Sequence, residues 1–430
     1  MCDSVAALGS ETARGHTLFA KNSDRKADEC QPFVQLPPAH HAPRSRLRCT
    51  HIEIPQVAET YGVMGHSPWW VWGFEQGVNE HAVAIGNHTV FSNEAIESSP
   101  GLIGMDLVRL GLERGRSARE ALEVIATLVE THGQGGAALA PDAAGYHNSF
   151  LLADPDNVWQ LETSNRRWVA RQMRLAACSN HYALDARWDI ASRDFEAWAR
   201  ESGYWRRADR VDVAAALRNP HVPAQISSGR ARRACELLEQ ARGSVGVATL
   251  TALLRDHGEG GPVWTGGNAA PAEERYFTLC AHSDLVHRTA ASLVAELPAP
   301  RPFAWPVWVG FGVPCTGIFL PVYLEATLPG CLARHDDAPD APAAWPRFRR
   351  LDRAAAQDPA RSTPALRAAW APVEREIEAE RIAVERAARS AAAERELDRA
   401  RELLERFMER TASTVLEQAE MLTTSLSRTG

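Results

Sequence analysis

Basic charge is in short supply in this 430-residue chain: 47 Lys and Arg stand against 54 Asp and Glu, a formal net charge of −7. A dedicated nucleic-acid binder carries a basic surplus, so no nucleic-acid partner is expected. The eight cysteines, at 2, 30, 49, 178, 235, 280, 315 and 331, include no C-x-x-C pair. That suits reduced thiols in the cytoplasm and speaks against a disulfide framework or a zinc site. No basic-then-apolar leader opens the chain. The one long uncharged stretch, Phe303 to Leu324, is punctuated by Pro306, Pro314 and Pro321 with Gly310, Gly312 and Gly317 between them. It reads as short buried strands and turns, so no membrane span is expected. The catalytic strings G-x-S-x-G and H-E-x-x-H are missing, and Ser23-x-x-Lys26 has no K-T-G to follow. The glycine strings beginning at His132 and His257 lack a phosphate loop's lysine and read as helix C-caps. Adjacent His40 and His41 have no further spaced ligands, so neither a metal nor an organic cofactor is expected.

What is present is an ordinary globular composition, 45% apolar and 23% charged, long enough for one large or two to three smaller domains. Two short apolar runs near the start, separated by the polar Gly9–His16, predict a β-hairpin. Residues 26 to 60, rich in Pro, His and Arg, read as a long surface loop. Leu102–Glu113 and a segment opening at Ser117 with capping-box spacing to Glu120 predict two helices. Phe150–Ala153 and Val158–Glu162, joined by Asp154-Pro155-Asp156-Asn157, predict a second hairpin. A strand leads into Cys178, residues 188 to 257 are mainly helical, and strands return near Tyr276–Cys280. That order suits an α+β protein with two sheets covered by helices. From Val373 onward an apolar stripe with helical period runs to Leu422, broken at Glu394 and Arg395. The break predicts a bent helix or a helix pair packed on the body. The expected division is a body over 1–331, an Ala/Pro/Asp/Arg-rich linker over 332–364 and a helical extension over 365–430, which leaves room for self-association through the extension.

Cys2 has a chemical option no other residue has. Removal of the initiator methionine would place its thiol and a free α-amine on one residue. Such an amine titrates at roughly 7.7–8.0, against about 10.4 for lysine, so it can act as a base at neutral pH without a histidine partner. The hairpin would carry both groups to the polar end of its second strand, Lys21-Asn22-Ser23-Asp24-Arg25.

Cys2 together with that polar element resembles the start of the secernin and dipeptidase A group of cysteine peptidases, which are N-terminal-nucleophile hydrolases. The resemblance runs on through Trp72–Glu80, Ala84–Asn87, Gly104–Arg109, Tyr146–Phe150, Leu161–Thr163, Ser179-Asn180 and Ser227–Arg230. It ends with Cys280-Ala281-His282 and Pro314–Pro321, covers residues 2 to 330, and fits the secernin branch best. It implies a four-layer αββα sandwich and a cysteine amidohydrolase, most simply a dipeptidase acting on a small peptide or amide. It implies further that Asp24 aligns the Cys2 amine or thiol, that Asn87 and Asn180 donate to the oxyanion, and that Arg230 lowers the thiol pKa. Lys21 stands where related acylases often hold arginine. Lys21, Trp72 and Asn148, all within these blocks, are the candidates for substrate contact. Two other functions remain open: a secernin-like binding or regulatory protein without turnover, and an acyltransferase or non-peptide amide hydrolase on the same fold.

Overall fold

The computed structural model describes residues 1–141, 143–222, 228–258, 278–282, 287–333 and 343–429. Two antiparallel sheets dominate it. The first has six strands in the spatial order β14 (Leu175–Cys178), β1 (Cys2–Ala7), β2 (Thr17–Arg25), β16 (Arg288–Leu297), β17 (Pro306–Phe311) and β18 (Leu320–Tyr323). The second has eight: β15 (Ile190–Ala191), β13 (Arg167–Met173), β12 (Val158–Ser164), β11 (His147–Ala153), β10 (Ala84–Val90), β9 (Gln76–Asn79), β8 (Val63–His66) and β3 (Phe33–Leu36). Two short ribbons, β4 (Ala39–His40) with β7 (Glu59–Thr60) and β5 (Arg46–Arg48) with β6 (Glu53–Pro55), occupy the segment expected to be a loop. That segment also holds β3, because Phe33 is fully buried and pairs opposite His66.

Side chains alternate across a strand, so each sheet buries two different faces. Ala6 and Phe19 point from β1 and β2 into a core shared with Met64, Val78, Ala84 and Leu151 of the other sheet. Val5, Ala7, Leu18 and Ala20 point the other way, against helices α5 (Ser228–Gln240) and α6 (Val247–Leu254). On the far side, Ile85, Phe150 and Leu152 pack under α1 (Gly104–Arg114) and α2 (Ala118–His132). The order helix, sheet, sheet, helix is the expected four-layer αββα arrangement. The expected caps of α2 are observed: Ser117 accepts from the Glu120 amide, and Gly133 terminates the helix with φ of +69°. Two short helices, α3 (Phe195–Glu201) and α4 (Val213–Leu217), lie in the segment expected to be helical.

The chain closes with α7 (Gly330–Ala333), α8 (Ala344–Ala355), α9 (Pro359–Ala393) and α10 (Leu397–Thr429). The expected linker over 332–364 is therefore largely structured: Trp345, Phe348 and Leu351 of α8 join the inter-sheet core. Residues 334–342 of it, like Tyr276, lie outside the described residues. Arg395, with φ of +66°, turns the chain between α9 and α10 at the break in the stripe. Trp370, Ile377, Leu404, Phe407 and Val415 of the resulting helix pair extend the same core. No helix among the described residues is long and apolar enough to cross a membrane.

Candidate active site

Cys2 pairs with Ser23 and Ser4 with Lys21, so the hairpin register sets the polar end of β2 beside the start of β1. Cys2, Ser4, Lys21 and Ser23 share the face turned to the second sheet, where Ser4 Oγ meets His88 Nε2 at 2.6 Å. Asp3, Asn22 and Asp24 take the opposite face, under α5 and α6.

On the inter-sheet side the Cys2 thiol lies 3.7 Å from Glu75 Oε2. Lys21 Nζ is 3.4 Å from the same oxygen, and Arg25 Nη1 is 3.2 Å from Oε1. Lysine can be buried here because residue 86 is glycine: a Cβ at that position would fall 2.3 Å from Lys21 Cδ. Burial alone would raise the Glu75 carboxyl, but Arg25 and Lys21 outweigh it and hold the group below its ordinary value. Burial pushes the Cys2 thiol up; Lys21 opposes that rise and Glu75 reinforces it. With Met1 in place the thiol is therefore a protonated donor facing a carboxylate.

On the helix side the Cys2 amide donates to Asn180 Oδ1 at 3.0 Å, an oxygen that also accepts from Arg230 Nη2 at 2.7 Å. Asn180 Nδ2 donates to Thr89 O at 2.9 Å, and among the described residues no acceptor meets its second N–H. Arg230 Nη1 pairs with Asp3 and stands 3.7 Å from Asp24 Oδ2. Thr289 Oγ1 donates to Asp24 Oδ1 at 2.7 Å. The backbone of Asp24 brackets Met1, accepting from its amine at 2.6 Å and donating to its carbonyl at 2.8 Å. Burial pulls that amine below its ordinary 8.0. Burial, then Asp3, pushes the Asp24 carboxyl up to about 6 against the pull of the Met1 amine, Arg230 and Thr289.

Cys2, Lys21, Asp24, Asn180 and Arg230 thus form one buried cluster. The amide of Asn87 lies 3.2 Å from both Glu75 Oε2 and Asn148 Oδ1, which brings Asn87 and Asn148 to its edge. Gly104 permits this, since a Cβ there would lie 2.0 Å from Asn148 Oδ1. Trp72 is not part of the cluster. It packs beneath α1, with the Arg109 guanidinium 3.8 Å over its ring. Asp24 lies on the face away from the thiol, and its carboxylate meets Thr289 and Arg230. Three members were not singled out from sequence: Glu75, Asp3 and Tyr146, whose hydroxyl is pushed up chiefly by burial and feels Arg25, Glu75 and Cys2. Glu75 and Tyr146 do lie within the blocks Trp72–Glu80 and Tyr146–Phe150 that carry the resemblance.

Metal-ligand spacing was absent along the chain, but folding gathers His257, Cys280, His282 and Cys315 with their ligand atoms all within 4.8 Å of one another. The cleft between the hairpin turn at Thr12–His16, α6 and α9 is at the other end of β1 and β2 from Cys2.

An αββα sandwich with a cysteine opening an inner strand, among buried polar groups, is the arrangement that the resemblance to N-terminal-nucleophile hydrolases implies. The profile of peptidase family C69 matches residues 8–199, a little under half of the chain, and that segment is similar to this family. The matched span holds Lys21, Asp24, Glu75, Asn87, Asn148 and Asn180, but neither Cys2 nor Arg230. Among solved structures the chain is similar to the C2A mutant of conjugated bile acid hydrolase from Clostridium perfringens. That pair is 12% identical over 72% of this chain and 89% of the other, with a TM-score of 0.41. Penicillin V acylase from Agrobacterium tumefaciens is 13% identical over 75% and 86%, with a TM-score of 0.42. The Caenorhabditis elegans ortholog of N-acylethanolamine-hydrolyzing acid amidase is 9% identical over 69% and 92%, with a TM-score of 0.33.

Proposed function

We propose that this protein is a cysteine-type hydrolase, a dipeptidase whose nucleophile is Cys2, freed by removal of whatever precedes it. The observation that carries the reading is the position of the Cys2 nitrogen, 3.0 Å from Asn180 Oδ1 with Arg230 behind that oxygen. A free amine at that point takes the thiol proton, and Asn180 and the ionised Asp24 hold it in line. The thiolate attacks the scissile carbonyl carbon. The oxyanion accepts from the second N–H of Asn180 and from the amide of Asn87, and the amine returns the proton to the leaving nitrogen. Water then hydrolyses the Cys2 thioester by the same proton route. Removing Met1, itself buried, vacates space beside the thiol for the acyl group.

Glu75 favours a dipeptide over a simple acyl amide. Its carboxylate stands 3.7 Å from the attacking sulfur, where a substrate's free α-ammonium, one carbon from the scissile carbonyl, would be received. The test is intact-mass analysis followed by paired panels of free and N-acetylated dipeptides and acyl amides. Free dipeptides should turn over, N-acetylation should abolish the reaction, and Cys2→Ala should be folded and inactive. Turnover by a chain that keeps Met1, or by Cys2→Ala, would sink the mechanism. Turnover of acyl amides alone would move the substrate class, transfer to an amine in preference to water would make the protein an acyltransferase, and a processed but inert protein would support the binding role.

A further inference from the structure

Asn22, fully buried on β2, donates through Nδ2 to Leu254 O at 2.9 Å and to Leu279 O at 2.8 Å, while Ser292 Oγ holds its Oδ1 at 2.6 Å. It thereby ties together the two segments that lead, three residues and one residue on, to His257 and Cys280. The Cys280 amide donates to Asp256 O at 3.1 Å, which binds those segments to each other. Cys315 comes from the turn after β17, where Trp370 Nε1 donates to Thr316 O at 2.9 Å and Arg367 Nη1 to Gly317 O at 2.6 Å. Three separate pieces of chain are thus held so that four ligand atoms meet.

His282 Nε2 is 3.0 Å from His257 Nε2, 3.4 Å from Cys280 Sγ and 3.3 Å from Cys315 Sγ. One imidazole nitrogen has either a single hydrogen or a single lone pair, so hydrogen bonding cannot account for three such neighbours. A cation at their centre accounts for all of them. Tetrahedral zinc, with bonds of about 2.3 Å to sulfur and about 2.0–2.1 Å to nitrogen, sets neighbouring ligand atoms roughly 3.3–3.8 Å apart; the three spacings about His282 Nε2 run from 3.0 to 3.4 Å, and all pairs of the set lie within 4.8 Å. Cys280, His282 and Cys315 are buried and His257 is half-buried, which leaves little room for water as a ligand. Two thiolates and two imidazoles in tetrahedral array select zinc among the common divalent ions.

We propose that His257, Cys280, His282 and Cys315 hold one zinc ion in a closed structural site beside the catalytic strand. The site acts on the active centre by position. Thr289 Oγ1, which donates to Asp24, accepts from the Ala281 amide at 3.0 Å, and Ala281 lies between two of the ligands. The ion thus fixes the residue that orients Asp24 without touching substrate.

Elemental analysis of the full chain, purified from zinc-supplemented medium and dialysed, tests this. The readout needs no substrate, so failure of the dipeptidase reading leaves it unaffected. About one zinc per chain is expected, as for a closed four-ligand site. Cys315→Ser and His257→Asn should each reduce it towards zero, while Cys235→Ser on the exposed face of α5 should retain it. Cobalt exchanged into the site should show thiolate-to-metal absorption, and a strong chelator should lower the melting temperature. Folded wild-type protein without zinc, a Cys280–Cys315 disulfide found by mass spectrometry, or zinc retained by both ligand variants would overturn the proposal.

Discussion

Two carboxylates flank Cys2 from opposite faces of one sheet, and they titrate differently. Glu75 is kept ionised by Arg25 and Lys21, whereas Asp24 is pushed up to about 6, first by burial and then by Asp3. If the ionised Asp24 holds the Cys2 amine, kcat/KM should fall as pH drops through about 6. Asp3→Asn removes a charge that raises Asp24 and should move this acid limb to lower pH; a limb that stays in place would detach it from Asp24. Stability runs the other way. The folded pKa lies above the ordinary 3.8, so between about 4 and about 6 the folded state holds a proton that the unfolded chain has released. The contribution of Asp24 is therefore most favourable at low pH and is lost as pH rises through about 6. Glu75→Gln would leave the buried Lys21 without its carboxylate partner, at a cost of roughly 3–5 kcal/mol in urea unfolding. Adding Lys21→Met should recover much of that loss; equal losses in the single and double variants would show that the pair does not stabilise the fold.

The hairpin and the terminal helix pair are the elements that sequence pattern read best. The hairpin is local, and its turn residues separate two apolar runs that only one antiparallel register can join. The helix pair carries a long apolar stripe whose break at Glu394 and Arg395 coincides with the turn between α9 and α10. Deleting residues 366–430 should strip Leu366, Trp370, Phe407 and Val415 from the shared core and give a protein that aggregates in light scattering. A soluble, active truncation would defeat this. Trp370→Ala is the milder probe: it empties a fully buried site and removes the bond to Thr316, and should cost about 3–5 kcal/mol. Strand β16 was not read from sequence. Its Arg-Thr-Ala-Ala-Ser-Leu-Val-Ala-Glu-Leu run has too little alternation and too much alanine to signal a strand. It is a strand because it lies between β2 and β17 with both faces covered.

Across the whole molecule the cysteines report on how tightly the layers close. Cys235 is exposed and Cys331 half-buried, while Cys30, Cys49 and Cys178 are buried in different layers. Peptide-resolved alkylation of the native protein should modify Cys235 first and Cys331 next. The three buried thiols should follow only at the rate of global unfolding. Cys2 should become the fastest of all once Met1 is gone, since its thiol then has a neighbouring base and an open side. Early alkylation of Cys178 would mean that β14 leaves the sheet edge without the rest of the fold.

By itself the sequence determined whatever depends on neighbours along the chain: the hairpin at Cys2, the caps of α2, the turn at Asp154–Asn157, the helical extension and its break. Through a resemblance it also offered Cys2, Asp24, Asn180 and Arg230 as candidate site residues, and the fold gathers them into one cluster. Only the tertiary structure decided which face each of them serves. It set Asp24 under the helices, Lys21 beside the thiol and Trp72 out of reach, because strand alternation and sheet packing fix direction and residue order does not. Glu75 and the four-residue Cys–His cluster were hidden for the same reason. Cys280 and His282 apart, their partners lie tens of residues away, and only the closure of two sheets and the helices over them brings those side chains within bonding distance.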